Sequence, residues 1–110
     1  MQDANPLEVD LETFAKAHAG GAAVLDVRNP DEYETAHVPG AVLIPLGELA
    51  ERQDDIPEAD PLYVICAVGA RSLTAAKALA GAGYNALSVA GGTNGWIERG
   101  GEVVAGDNPS

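Results

Sequence analysis

Short runs of consecutive apolar residues, separated by turn signals and helical patterns, constrain the fold of this chain more than any other feature. The runs at 22–25, 41–44 and 62–65 show this pattern most clearly. A strand with apolar residues at successive positions is buried on both faces, which is typical of parallel sheets. Because the runs alternate with helical segments, we expect an α/β domain whose parallel sheet is covered by helices on both sides.

A chain of 110 residues is the size of one domain, and the turn signals divide it into short elements. Strands are predicted at 7–9, 22–25, 41–44, 62–65 and 86–89. Helices are predicted from an Asp10 cap to about Ala19, from Pro30, over 47–52, over 72–80 with Leu73, Ala76 and Ala80 facing inward, and after Gly91-Gly92 through Ile97. We expect a single domain over 1–110 with its core at about 7–104, a solvated connection at 53–61, a frayed polar chain from Gly100 and a tail at 105–110.

The charge balance limits the partners of this chain. Six basic residues stand against seventeen acidic ones, a formal net charge of −11, which argues against binding to nucleic acid or to an anionic membrane surface. The polar N-terminal residues do not resemble a signal peptide, and one cysteine cannot form an internal disulfide. We therefore expect a cytoplasmic protein. Its acidic composition fits an ordinary soluble protein, adaptation to high salt or a GC-rich coding sequence.

The segment Cys66-Ala67-Val68-Gly69-Ala70-Arg71-Ser72, called here the Cys66 loop, joins a predicted strand to a predicted helix. Ligands of parallel sheets bind at the carboxyl ends of the strands, where this cysteine lies. A loop that curls over a helix N-terminus directs backbone N–H groups at one point, and a thiol placed there ionises more easily. Gly69 permits the tight curl, Arg71 adds a charge suited to an oxyanion, and Ser72 caps the helix or donates to the sulfur. We therefore predict Cys66 as the nucleophile.

Four segments together resemble those of the single-domain rhodaneses, a family of sulfurtransferases. The segments are Leu25-Asp26-Val27-Arg28 followed by Glu32-Tyr33, Ala36-His37-Val38-Pro39-Gly40-Ala41 leading to Ile44-Pro45, the Cys66 loop, and Gly91-Gly92-Thr93-Asn94-Gly95-Trp96. The resemblance covers about Leu7 to Val104. It implies a five-stranded parallel sheet flanked by helices on both faces. It also implies that Cys66 takes a sulfane sulfur from a donor such as thiosulfate as a persulfide and passes it to a nucleophile such as cyanide.

The sequence departs from the family pattern at the positions that follow the cysteine. Loops suited to thiosulfate often carry basic or polar side chains there, whereas this chain has Ala67 and Val68. A persulfide on a protein or on a small thiol is therefore an alternative donor to a small anion. With no second cysteine, the sulfur must leave to an external thiol or to cyanide. Ala36 stands where the family often has glycine, a change of little consequence.

Other marked residues have structural explanations beside the functional ones. Asp26 and Arg28 either order the Cys66 loop or form structural ion pairs, for instance Arg28 with Glu32 or Glu34, and we favour the structural reading. His37 is either a general base or, the reading we favour, a residue that hydrogen-bonds locally and fixes the Pro39-Gly40 turn. The Gly91-Gly92 pair is expected to allow close passage of backbone, and Trp96 to lie in the core. No cofactor and no metal are expected, since two histidines and one cysteine are too few for a zinc site.

Three alternatives to a sulfurtransferase use the same cysteine. One is a non-enzymatic persulfide carrier or interaction module. Another is a small cysteine phosphatase or arsenate reductase, but those loops have five residues between Cys and Arg, whereas Cys66 and Arg71 are separated by four. The shorter loop favours a sulfur atom over a phosphoryl group. The remaining alternative is a redox sensor, because an activated thiol is open to oxidation.

Overall fold

The computed structural model describes residues 6–110 and contains a five-stranded sheet in the order β1-β5-β4-β2-β3, in which every paired strand is parallel. The strands are β1 (Glu8–Val9), β2 (Val24–Asp26), β3 (Val42–Leu43), β4 (Leu62–Ile65) and β5 (Ala86–Val89). The α-helices are α1 (Leu11–Ala19), α2 (Pro30–Thr35), α3 (Ala70–Gly81) and α4 (Gly92–Glu98). The predicted parallel α/β fold is confirmed.

Two apolar clusters cover the two faces of the sheet. Leu62 and Val64 of β4 pack in one cluster with Ala75, Ala76 and Leu79 of α3. The alternate β4 residues Tyr63 and Ile65 belong to the second cluster, which also holds Phe14 of α1, Tyr33 of α2 and Trp96 of α4. Because successive side chains of a strand point to opposite faces, β4 is apolar throughout and lies at the centre of the sheet.

Several predicted boundaries differ from the observed ones. The strand predicted at 41–44 is shortened to Val42–Leu43, and the helix predicted at 47–52 is a single 3₁₀ turn at Leu46–Glu48. A second 3₁₀ turn, Gln53–Asp55, lies in the predicted acidic connection. By contrast, Asp10 caps α1 as predicted, with its carboxylate accepting a hydrogen bond of 2.8 Å from Thr13 N–H.

Helix α3 begins two residues earlier than predicted and buries a different face. Ser72, Ala75, Ala76 and Leu79 are buried, whereas Leu73 and Ala80 are only half-buried. Leu73 and Ala80 were predicted to face inward because they are apolar. The helix instead turns a polar residue, Ser72, toward the sheet because that side chain contacts Cys66. The prediction that Leu73 and Ala80 face inward was wrong.

The C-terminal chain is held against α2 and the turn that follows it. His37 and Val104 exchange two backbone hydrogen bonds, of 2.8 and 2.9 Å, and Gly40 N–H donates to Pro109 O. His37 also stacks on Tyr33 and bonds Tyr33 O through Nδ1 at 2.8 Å. The expectation of a frayed chain after Gly100 was therefore wrong, because backbone groups of α2 and its turn supply partners. These His37 bonds run to α2 and to the C-terminal chain, whereas the carbonyl of Pro39 in the turn lies 2.8 Å from His18 Nε2.

No α-helix within residues 6–110 has both the length and the apolar character that a bilayer crossing requires. Over the same residues, His, Cys, Asp and Glu do not form a group of three or more that could hold a metal ion.

Candidate functional site

The Cys66 loop leaves the carboxyl end of the central strand and turns at once into helix α3. Ile65, the last residue of β4, lies beside Asp26 of β2, so Cys66 emerges between two strand ends. Gly69 caps α3 with a φ of 115°, a left-handed conformation that costs a side-chain-bearing residue about 1–2 kcal/mol. This conformation bends the loop back over its own cysteine, as the sequence predicted.

The Cys66 sulfur is enclosed by hydrogen-bond donors from the loop and from α3. Sγ accepts from Gly69 N–H at 3.1 Å and from Ser72 N–H at 3.2 Å, and it lies 3.4 Å from Ser72 Oγ. Only 1% of the residue is exposed. Burial opposes ionisation, but the bonds from the Ser72 hydroxyl and from the Ser72, Gly69 and Val68 N–H groups outweigh it. Together they lower the pKa of the Cys66 thiol below its ordinary value.

Of the two roles that the sequence suggested for Ser72, capping the helix and bonding the sulfur, the structure shows contact with the sulfur, through both the N–H group and the hydroxyl. The N-cap of α3 is Gly69, and Ser72 lies inside the first turn with its hydroxyl buried. Its Oγ lies 3.2 Å from Gly69 O and 2.7 Å from the hydroxyl of Ser88, a residue of β5 that is also fully buried. Sulfur, two hydroxyls and a carbonyl therefore form one buried polar group beneath the loop.

Arg71 is held by a carboxylate on a neighbouring helix. Its Nη1 and Nη2 donate to the two carboxylate oxygens of Glu32 in α2, at 2.8 and 2.9 Å. The arginine lowers the pKa of Glu32 from 4.5 to about 2. We expected this guanidinium to be directed at a bound oxyanion, but the structure directs it at Glu32. Such a two-point bond is geometrically specific and ties the loop to α2.

Asp26 and Arg28 form a buried ion pair with each other. Arg28 Nη2 lies 2.8 Å from Asp26 Oδ2 and also donates to Ala36 O at 2.8 Å, while Nε contacts both carboxylate oxygens. The suggested pairing of Arg28 with Glu32 or Glu34 was wrong, because Asp26 is two residues away and fully buried. The pair braces the end of β2 beside the Cys66 loop, in keeping with the structural reading.

Helix α4 supports the loop from the other side. Thr93 N–H donates to Cys66 O at 2.8 Å, and Asn94 N–H donates to Ala67 O at 3.0 Å. A Cβ at Gly92 would lie 2.5 Å from Ala67 O, and Gly92 has a φ of 60°. As expected, the Gly91-Gly92 pair allows a close approach between backbone segments. The backbone that Gly92 approaches is that of Ala67. Trp96 is buried in the core, as expected.

The outer surface of the site combines apolar and polar residues. A cleft of about 380 Å³ beside the loop is lined by residues of α2 and α4 together with Arg28, Ala36 and Ala67. Val68 is 63% exposed at the top of the loop, and Ile97, which lines the cleft, is 45% exposed. Within residues 6–110, only Val103 joins them as an exposed large apolar side chain. The sulfur thus lies beneath a partly apolar surface.

Of the predicted residues of the Cys66 loop, Gly69 and Ser72 hydrogen-bond the Cys66 sulfur, whereas Arg71 is paired with Glu32 and the side chains of Val68 and Ala70 are exposed. Sequence reasoning missed the pairing of Glu32 with Arg71 and any role for Ser88. A serine within an otherwise apolar strand was a usable signal for Ser88, since a buried hydroxyl needs a partner.

Comparison with known proteins agrees with this geometry. Residues 10–99 match the family described as the rhodanese-like domain. The chain belongs to the rhodanese-like family. A solved rhodanese-related protein from Thermoplasma volcanium superposes with a TM-score of 0.81 at 33% identity, covering 88% of this chain and 96% of that one. The family match and the superposition therefore both support the rhodanese-like fold of this chain.

Among curated relatives, a candidate sulfur carrier protein of Bacillus subtilis, YrkF, is 39% identical over 95 residues. This alignment covers 84% of the chain but 51% of YrkF, so the chain spans about half of that relative. Thiosulfate sulfurtransferase PspE of Escherichia coli is 38% identical over 88 residues, with 78% of this chain and 80% of PspE covered. The rhodanese-like relatives thus include a named enzyme as well as a candidate carrier.

Proposed function

We propose that this protein is a sulfurtransferase that moves a sulfane sulfur through a persulfide on Cys66. The observation that carries the proposal is the enclosure of Sγ by the N–H groups of Gly69 and Ser72, at 3.1 and 3.2 Å. These donors stabilise negative charge on sulfur, and the thiolate is the form that attacks. The names of the rhodanese-like relatives support the same chemistry.

In the first step the Cys66 thiolate attacks the outer sulfur of the donor. A bond forms between Sγ and that sulfur, and the bond to the rest of the donor breaks with its electron pair. Thiosulfate would release sulfite, and a persulfide would release a thiolate. In the second step cyanide or an external thiol attacks the outer sulfur of the Cys66 persulfide, and the Cys66 thiolate is regenerated as the leaving group. We propose that the backbone N–H groups of the Cys66 loop hold the negative outer sulfur between the steps.

We propose a persulfide on a protein or small thiol as the preferred donor, with thiosulfate as the second candidate. Ala67 and Val68 carry no charge, and the guanidinium of Arg71 is paired with Glu32. Thiosulfate is a dianion, and a chain of net charge −11 repels it at long range more strongly than it repels a singly charged persulfide group. The exposed side chain of Val68, with Ile97 on the adjoining cleft, offers apolar contact that a protein partner could use.

A persulfide carrier that works inside a protein complex is the second candidate function, and the same exposed apolar residues favour it. A carrier would load sulfur at Cys66 but turn over slowly with small acceptors. Steady-state rates with cyanide and with small thiols separate a carrier from an enzyme, because an enzyme of the thiosulfate sulfurtransferase type would turn over with these acceptors.

Intact-mass spectrometry tests the proposal and ranks the donors. The protein is incubated in parallel with thiosulfate, with 3-mercaptopyruvate, and with a cysteine desulfurase plus cysteine. We expect the mass of one added sulfur atom, removed by cyanide, to be most complete with the desulfurase. Cys66→Ala is the matched control and should gain no sulfur. Absence of a sulfur adduct from all donors would contradict the proposal. Hydrolysis of p-nitrophenyl phosphate that depends on Cys66 would favour a phosphatase instead.

A further inference from the structure

The buried hydroxyls of Ser72 and Ser88 differ in the number of partners they have. Ser72 Oγ lies within hydrogen-bond distance of Cys66 Sγ, Gly69 O and Ser88 Oγ. Among residues 6–110, the side-chain hydroxyl of Ser88 is within hydrogen-bond distance of Ser72 Oγ alone, at 2.7 Å. Both residues are fully buried, so neither hydroxyl is exposed to bulk water. The direction of the hydrogen bond between the two serines therefore decides whether the single hydroxyl hydrogen of Ser72 can be donated to Gly69 O or to Cys66 Sγ.

Counting hydrogens assigns that direction. A hydroxyl donates one hydrogen and accepts at two lone pairs. If Ser72 donated to Ser88, then both Gly69 O and an ionised Sγ would lose the Ser72 hydrogen. If Ser88 donates to Ser72, Ser88 is satisfied and the Ser72 hydrogen remains free to turn toward Gly69 O or Sγ. Since unpaired buried polar groups are costly, the second arrangement is the stable one.

We propose that Ser88 is a positioning residue that donates to Ser72 Oγ and so directs the Ser72 hydrogen to the Cys66 sulfur when that sulfur is ionised. In the thiol state, S–H donates to Ser72 Oγ, and Ser72 donates to Gly69 O. On ionisation the thiol proton leaves to solvent, and the Ser72 hydrogen turns from Gly69 O to Sγ. Ser88 donates to Ser72 throughout. The inference rests on the proposed role of Cys66 as an ionised nucleophile.

The charged groups near Cys66 do not provide this hydrogen. Arg71 interacts electrostatically with Cys66 but donates its hydrogen bonds to Glu32, and Asp26 beside Ile65 is paired with Arg28. Helix α4 contributes backbone N–H groups to the carbonyls of residues 66 and 67, and β5 contributes Ser88. Removing the Ser88 hydroxyl therefore changes a neutral hydrogen-bond network and leaves the net charge of the site constant.

The test is the pKa of Cys66 in the resting protein, followed by the ultraviolet absorbance of the thiolate across a pH series. We expect Ser88→Ala to raise this pKa by about half a unit to one unit, because Ser72 loses a donor that polarises its hydroxyl. Ser88→Thr retains a hydroxyl and should restore the wild-type pKa. Ser88→Val has nearly the same shape as Ser88→Thr but lacks the hydroxyl. If Ser88→Ala does not fold, comparing the Cys66 pKa of Ser88→Thr with that of Ser88→Val tests the role of the hydroxyl.

A double-mutant cycle separates positioning from general packing. If Ser88 acts through Ser72, then Ser88→Ala should leave the Cys66 pKa unchanged in a Ser72→Ala background. An equal shift in both backgrounds would overturn the proposal, as would equal pKa values for Ser88→Thr and Ser88→Val. Because this measurement uses no sulfur donor, its failure is distinguishable from failure of the proposed sulfur transfer, which is tested by persulfide formation.

Discussion

Arg71 in the Cys66 loop and Glu32 in α2 form a two-point ion pair, with N···O distances of 2.8 and 2.9 Å, although they lie 39 positions apart in the chain. The pair fastens the loop to the opposite side of the site while Gly69 and Ser72 enclose the sulfur. We infer that Arg71 stabilises the loop conformation and that backbone donors recognise the sulfur.

Glu32→Gln should lose a pH-dependent contribution to stability. The pKa of Glu32 is lowered from 4.5 to about 2, so its stabilising effect is complete above pH 4.5 and disappears as the pH falls through about 2. Both side chains are about one-third exposed, and we expect a loss of about 1 kcal/mol or less at neutral pH. Urea unfolding across pH measures this loss, and a constant difference between pH 5 and pH 2 would argue against it.

The same substitution should improve the use of thiosulfate, because it frees the Arg71 guanidinium for an anion. We expect the KM for thiosulfate to fall by about two- to fivefold at low ionic strength, with a smaller change for a neutral donor. Glu34→Gln removes the same charge from an exposed position of α2 and is the matched control. If the two variants have equal KM values, release of Arg71 has no effect and only net charge matters.

Ser72→Ala should make Cys66 less reactive toward iodoacetamide. The wild-type thiol has a lowered pKa because the Ser72 hydroxyl and the loop N–H groups outweigh the effect of burial. Removing the hydroxyl raises the pKa, so less thiolate is present at neutral pH, and we expect alkylation to slow by about three- to tenfold. Thr74→Ala, at an exposed position of α3, should alkylate like the wild type. A wild-type rate for Ser72→Ala would show that its hydroxyl does not stabilise the thiolate.

Gly92→Ala should disturb the loop more than an ordinary glycine substitution. The added Cβ would lie 2.5 Å from Ala67 O, at a φ of 60° that disfavours alanine. We expect a loss of about 2–4 kcal/mol in unfolding free energy, together with slower persulfide formation. Gly47→Ala, where a Cβ has no neighbour within 4 Å and φ is not left-handed, is the control. Equal stability of the two variants would contradict the close approach of α4 to the loop.

Local patterns predicted the elements of this fold better than the contacts between them. Leu62–Ile65 and Ala86–Val89 are strands at their predicted bounds. Short, mainly apolar runs between turns are typical of the buried strands of a parallel sheet. The Asp10 cap and the position of Cys66 at a strand end also follow from short-range signals. These features depend on residues that are close in the sequence.

The sequence contains no comparable signal for polar contacts between residues that are far apart in the chain. Arg28 had two candidate partners nearby in the sequence, Glu32 and Glu34, but the fold places Asp26 beside Arg28 and Arg71 beside Glu32. Ser72 and Ser88 are 16 residues apart and meet only because β5 lies next to β4. Which charge or hydroxyl meets which is set by strand order and helix packing, and spacing along the chain does not encode it.

A single-turnover experiment tests the central claim most directly. The protein is loaded with sulfur, freed of donor, mixed with cyanide, and then analysed for intact mass and for thiocyanate. We predict that the loaded chain loses the mass of one sulfur atom while releasing an equal amount of thiocyanate, and that Cys66→Ala releases none. A sulfur adduct that persists in cyanide, or equal thiocyanate from Cys66→Ala, would contradict transfer through a Cys66 persulfide.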